Sequence, residues 1–286
     1  MQPSTRQTVR LNRLSLYPQL YYDTLSIPFD LSIVLNLKRP LIAAVFAFTL
    51  QSAAHADEIV VSAAASLTNA FKAIGDAYEK QHPGTKVLMN FGASDVLMQQ
   101  IVKGAPADVF ASADQKAMDK AIDEKVIVTG SRRDFAANSL VLIVPKDSTF
   151  APASVKDLTA ASVKRVAYGD PASVPVGRYT EGALKEAGVW DAVSAKGVLA
   201  ANVRQSLDYV ARGEVDAGFV FSTDAAVMPD RVKVALSVPT QTSITYPIAQ
   251  VAQSKHAAEA QQFIAYVLSP DGQKTLAQFG FKPPVK

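Results

Sequence analysis

The chain has 286 residues, about half of them apolar, with 29 basic and 26 acidic side chains and no cysteine. The apolar share supports one or two packed domains, and the missing thiols exclude both a disulfide scaffold and a cysteine-linked lipid anchor. The positive excess belongs to the first 56 residues; beyond them 24 basic residues face 24 acidic ones, so no basic field argues for nucleic acid or an anionic membrane.

Lys38-Arg39-Pro40, the apolar run 41–50 and the small-residue end Gln51 to Ala56 have the order of a secretory signal, with cleavage expected between Ala56 and Asp57. The apolar run is too short to span a bilayer. Signal peptides are usually about 15–30 residues long, so translation is expected to begin near Val34 or Leu35, with residues 1–56 set aside as leader. The mature product is expected to be exported and soluble.

Ile59-Val60-Val61 is a β-branched run that passes through small residues to Ser66, after which Leu67, Ala70, Phe71, Ile74 and Tyr78 repeat at three and four, the spacing of a buried helix face. Ser66 therefore sits at a strand-to-helix junction. There the first amide N–H groups lack intrahelical acceptors and point outward with the positive end of the helix dipole, which suits an anion. The alternative is that Ser66 merely caps the helix. After the breaker Gln81 to Gly84, residues 86–91 read as a strand, Ser94-Asp95 open a helix, 107–112 form a strand and 115–125 a helix. Strand–helix repeated three times implies a parallel sheet covered on both faces.

The unbroken apolar run 139–145 reads as a central strand, and 164–168 as another. Helices are expected from Val174 to about Ala187 and from Asn202 to near Gly213. Strands are expected at 216–221, 232–238 and 245–251, and closing helices at 257–268 and 271–279. No flexible linker divides the chain, so two α/β lobes must be joined through strand crossovers, expected near Asn138 and Tyr246. The assignment is 57–138 plus 247–286 for lobe 1 and 139–246 for lobe 2, with a ligand cleft between them.

Four turns share one design, a strand end followed by small residues or Pro and a helix start: Ala65-Ser66-Leu67, Ala93-Ser94-Asp95, Pro175-Val176-Gly177 and Asn202-Val203-Arg204. A serine there can offer both hydroxyl and N–H to one oxyanion. Enzyme readings are weak. There is no G-x-S-x-G elbow and no Walker loop; His82 and His256 are isolated and lack metal-ligand spacing. Asp108 and Asp114 suit capping or pairing better than catalysis.

Ala63 to Ala70, Gly104 to Asp114, Gly169 to Gly177, Asn202-Val203-Arg204 and the strand before Thr223-Asp224-Ala225 together resemble the periplasmic molybdate-binding proteins of ABC uptake systems, over essentially all of 57–286. The resemblance implies a two-lobed periplasmic-binding-protein fold, each lobe a mixed, mostly parallel sheet flanked by helices, hinged at two strand crossovers. It implies a monomer in the periplasm that performs no chemistry, binds molybdate or tungstate as an oxyanion with no cofactor and no cation ligands, and passes it to an ABC permease and its ATPase. By motif, Ser66 and Ser94 supply hydroxyl and N–H, and Val176 and Val203 supply backbone N–H. A fully deprotonated oxyanion needs donors only, and neutral donors avoid desolvating a paired cation.

Phe221 stands where the family places a tyrosine. The lost donor to a charged ligand is worth about 1.5–3 kcal/mol unless water, Thr223 or Tyr179 substitutes. Asp95, beside Ser94, is expected to point outward as an ordinary first-turn carboxylate, because pointing inward it would repel the anion. The alternatives are a binding protein for another tetrahedral anion such as sulfate, a hydrolase built on Ser66 with His82 or His256 in reach, and a ligand-sensing regulatory domain.

Overall fold

Asp57 to Pro284 are the residues described in the computed structural model; the expected leader and its upstream start lie outside them. The chain opens with β1 (Asp57–Ala64), a 3-10 turn (Ala65–Leu67) and α1 (Thr68–Gln81). β2 (Thr85–Gly92), α2 (Ser94–Val102), β3 (Val109–Ala111), α3 (Gln115–Asp123) and β4 (Arg133–Asn138) follow. β5 (Leu140–Pro145), β6 (Val166–Gly169), α4 (Pro175–Glu186), α5 (Trp190–Ser194), β7 (Gly197–Ala200), α6 (Val203–Ala211), β8 (Ala217–Phe221), α7 (Ser222–Ala225) and β9 (Val232–Val238) form the middle. The chain closes with β10 (Ile244–Gln250), α8 (Ala257–Leu268) and α9 (Pro270–Gln278).

The strands make two five-stranded sheets, ordered β2-β1-β3-β10-β4 and β7-β6-β8-β5-β9. In the first, β1 runs parallel to β2 and β3 while β10 is antiparallel to β3 and β4. In the second, β6 is parallel to β7 and β8 while β5 is antiparallel to β8 and β9. Both sheets are mixed and mostly parallel in strand direction: β10 alone runs against the other four in the first, and β5 alone in the second. β5 is interior, as its unbroken apolar sequence requires, but antiparallel to both neighbours.

Each sheet with its helices forms one lobe. α1 buries Ala70, Phe71, Ile74 and Tyr78, and the Phe71 ring packs 5.6 Å from Phe135 and 6.3 Å from Phe263. Burying such a side chain stabilises by roughly 1.5–3 kcal/mol, so this face fixes α1, and with it the Ser66 turn, on the first sheet.

The chain crosses between sheets twice. Ser139 alone separates β4 from β5, at the place expected. The second crossing, expected near Tyr246, lies earlier, at 239–243, because β10 already pairs with β4 from Ile244 opposite Asn138. Thr245 and Tyr246 are thus first-sheet residues. The alternation of Ile244, Tyr246 and Ile248 with smaller or polar neighbours suits a strand held from its first residue. The register slips between Tyr246 and Pro247, where β4 contributes the extra residue Phe135, a bulge of the kind that re-aims side chains.

Candidate functional site

The four turns singled out in the sequence meet. Ser66, Ser94, Val176, Val203 and Phe221 all line one small void of about 10 Å3, together with Asn202 and small or apolar residues. Clefts that take drug-sized ligands run to about 300–1,000 Å3, so this one is far too small for such a molecule. No charged side chain lines it among the described residues.

Each helix start is built to leave amides free. Neither Ala64 before the 3-10 turn, nor Ala93 before α2, nor Val174 before α4 makes a side-chain cap, so no side chain at these cap positions takes the orphan first-turn N–H groups. Ser66 and Ser94 lie past the cap position and do not cap. Pro175 at the first turn of α4 has no N–H, which makes Val176 the first donor there. On α6, Asn202 caps the amides of Arg204 and Gln205 and leaves that of Val203. Gly177 lets α4 come close: a Cβ there would lie 1.9 Å from the Gly169 carbonyl oxygen at the end of β6. That contact presses the Val176 turn onto the strand end.

Behind the serines sit buried partners. Ser94 Oγ accepts from Ala113 N–H at 3.1 Å. Ser66 Oγ lies 3.1 Å from Tyr246 Oη, and Asn138 Nδ2 donates to Tyr246 Oη at 3.2 Å and to Thr223 Oγ1 at 2.9 Å. Burial holds the Tyr246 phenol far above its ordinary pKa, with Asp224 adding to the rise, so it stays neutral. Thr223 and Tyr179, the candidate substitutes for the hydroxyl missing at Phe221, do not line the void. The Tyr179 ring instead packs edge-on against Phe221 at 6.3 Å.

Two arginines of the second lobe reach across to the first. Arg178 of α4 contacts Asp95 and Asp114, both at 2.6 Å, with its side chain 12% exposed. Lys120 takes the other Asp95 oxygen at 2.6 Å. The expectation for Asp95 is corrected here: it points neither to solvent nor into the void but sideways into this ion cluster, and it is buried. An inter-lobe guanidinium offers a first-turn carboxylate a third direction that inspection of its own helix does not reveal. Burial pulls Arg178 down, but Asp114 and Asp95 outweigh it and hold its pKa above the ordinary value. The two carboxylates and two cations cancel, which keeps uncompensated negative charge away from the neighbouring void.

Arg204 of α6 donates to Asp224 Oδ1 at 2.6 Å within its own lobe. Across the gap it donates to Asn69 Oδ1 at 2.8 Å and to the Ser66 carbonyl at 3.3 Å. Asp224 is fully buried and its Oδ2 finds no partner among the described residues. Burial pushes its pKa up to about 6, against the opposing pull of Arg204.

The remaining candidates fall elsewhere. His82 stacks on Tyr78 at 4.0 Å and its Nδ1 pairs with the Tyr78 carbonyl, and the His256 amide donates to Ser254 Oγ; neither ring is a partner of Ser66. Both histidines are half-buried. Asp108 accepts from Val60 N–H and Ser254 Oγ, and Asp114 caps α3 through Ala117 N–H, as expected for pairing and capping residues. No cluster of His, Cys, Asp and Glu able to hold a metal occurs among the described residues. Sequence reasoning missed Arg178, Arg204, Asn138 and Tyr246 as site residues. Only the placing of the two arginines at the first turns of α4 and α6 hinted at a role.

Residues 59–282 match the family model for bacterial extracellular solute-binding proteins. The molybdate-binding protein ModA of Escherichia coli (strain K12) is 39% identical over 83% of this chain and 95% of its own length. That of Haemophilus influenzae is 33% identical over 80% of this chain and 92% of its own. Among solved structures, the periplasmic molybdate-binding protein of Azotobacter vinelandii superposes with a TM-score of 0.69 at 24% identity, over 79% of this chain and all of that one. A likeness at that identity speaks for the fold.

Proposed function

The chain belongs to the bacterial extracellular solute-binding proteins, in the family of the molybdate-binding proteins, and from that membership we propose that it captures molybdate for an ABC permease. The observation that carries the site is the convergence of four helix starts, two from each lobe, on a single small void without charged lining. Ser66 and Ser94 give hydroxyl and amide hydrogens, and Val176 and Val203 give amides. Tungstate, of the same shape and charge, is accepted by the same donors. Phe221 closes the void with an apolar ring where the family has a hydroxyl.

Because the donors come from both lobes, the anion favours the closed arrangement, hinged at Ser139 and at 239–243. Arg178 and Arg204 then clasp the rim, each from the second lobe onto acceptors of the first. The protein acts as a monomer in the periplasm, and the closed form is what the permease and its ATPase recognise.

The test is calorimetry of protein stripped of ligand by unfolding and refolding, titrated with molybdate, tungstate, sulfate and phosphate. Molybdate and tungstate should bind with similar, high affinity and sulfate far more weakly. Sulfate binding as tight as molybdate overturns the assignment in favour of a sulfate carrier.

A further inference from the structure

A serine hydroxyl accepts as readily as it donates, and the partner behind it decides which. Behind Ser94 stands the Ala113 amide at 3.1 Å, which can only donate, so the Ser94 proton is left for the void. Behind Ser66 stands another hydroxyl, Tyr246 Oη, and by distance alone either oxygen could be the donor.

The direction is set further back. Ser139 N–H donates to Asn138 Oδ1 at 2.9 Å, and a backbone amide has no other role. That pins the Asn138 side chain. Its oxygen takes Ser139 N–H and the Ser222 hydroxyl at 2.8 Å; its nitrogen faces Thr223 Oγ1 and Tyr246 Oη. All four hydrogen-bonding positions of the amide are filled. Tyr246 Oη therefore accepts from Asn138 and, being buried, has Ser66 Oγ as the remaining acceptor in reach for its own proton. With that lone pair occupied, the Ser66 proton turns to the void.

We propose that Asn138 and Tyr246 are positioning residues that fix Ser66 as a donor to the void, and that they thereby carry part of the preference an array of donors alone has for oxyanions without a proton. The inference rests on the oxyanion reading above and deepens it. A protonated anion brings a hydroxyl that needs an acceptor. With Ser66 and Ser94 both turned to donate, that hydroxyl is buried unmatched, which weakens binding by roughly ten- to a hundredfold. The relay draws on the crossing strand (Asn138, Ser139), the second lobe (Ser222, Thr223) and the first (Tyr246), so the donor direction of Ser66 depends on parts joined at the hinge.

Sulfate and hydrogen phosphate separate this effect from size, since both are dianions of nearly equal volume that differ by one proton. The experiment measures both, with molybdate, by calorimetry on the ligand-stripped full chain, its Tyr246→Phe variant and its Asn138→Asp variant. Tyr246→Phe keeps the ring packed between Phe135 and Phe281 but frees Ser66 Oγ to accept. The sulfate-over-phosphate preference should shrink by about tenfold. Asn138→Asp keeps the acceptor for Ser139 N–H and removes both side-chain donors. Tyr246 then gives its proton to the new carboxylate, Ser66 gives its own to Tyr246, and the relay runs backwards. The added charge weakens both dianions alike, so their ratio isolates direction and should fall further than in Tyr246→Phe. A ratio unchanged within about twofold in both variants, at an unchanged melting midpoint, overturns the relay, as does wild-type protein that binds hydrogen phosphate as well as sulfate. Wild-type protein that prefers sulfate over phosphate yet ignores molybdate sinks the molybdate reading and leaves the relay supported.

Discussion

Ser66 and Ser94 line the void from the first lobe, and Val176, Val203 and Phe221 from the second; the function proposed above takes hydroxyls and amides from the one and amides alone from the other. One half of the site is written in side chains and the other in backbone. At the rim the roles invert. There the second lobe contributes the long cationic side chains Arg178 and Arg204, and the first contributes the acceptors Asp95, Asp114, Asn69 and the Ser66 carbonyl. Keeping the cations at the rim lets them hold the lobes together without a charged side chain in the void, so the interior can remain a pure array of neutral donors.

The rim is where the comparison breaks most severely. Arg178→Met leaves Asp95 and Asp114 buried beside the void with Lys120 as their only cation; stranding buried charge costs about 3–5 kcal/mol. Molybdate affinity measured by calorimetry should drop at least a hundredfold, and the double change Asp95→Asn, Asp114→Asn in the same chain should recover much of it. A loss below about tenfold would show the clasp to be incidental. On the opposite rim, burial raises the Asp224 pKa from its ordinary 3.8 to about 6, so the native state binds that proton more tightly than the unfolded chain. The resulting stabilisation is complete below about pH 4 and is lost as pH rises through about 6. Urea unfolding of Asp224→Asn against its parent should therefore shift in favour of the variant by up to ~3 kcal/mol between these limits, and a difference flat with pH would refute the shift.

Inside the void the effects are smaller. Ser66→Ala removes a hydroxyl donor to a charged ligand and should weaken molybdate by roughly ten- to a hundredfold, whereas Val203→Ala keeps its amide and should stay within about threefold. Equal losses would erase the distinction between the lobes. Phe221→Tyr gives the second lobe a side-chain donor and so tests the asymmetry itself. It should tighten molybdate by up to about tenfold, and unaltered affinity would mean that the hydroxyl finds no anion oxygen.

How much of this is legible in the sequence depends on how far apart the partners lie along the chain. β1 and β5 announce themselves through β-branched and apolar runs, and the four turns through small residues or Pro beside a helix pattern; these are local signals. β4, Arg133–Asn138, has one large apolar residue in six, and four of the six are alanine or charged, so nothing marks it until β10 arrives to pair with it. β7, Gly197–Ala200, is a short edge strand, and α5 is a helix of five residues; neither is long enough to show a period. The clasp is invisible for a different reason. Arg178 meets Asp114 and Asp95 over separations of 64 and 83 residues, so Asp95 looked like a choice between inside and outside when its answer lay on another lobe. Tyr246, 180 residues from Ser66, reads in the sequence as a crossing point and not as a partner.

The position of β10 bears on the order in which the protein can be made. It lies between β3 and β4, yet leaves the ribosome more than a hundred residues after either. Every strand of the second sheet emerges before it, so that half can assemble while the first still lacks its middle. Until Ile244–Gln250 is threaded in, β4 has no neighbour in its own sheet and Tyr246 is not yet behind Ser66. A chain folding from its N-terminus therefore finishes the second sheet before the first, and the pocket comes into being only when Ile244–Gln250 arrive.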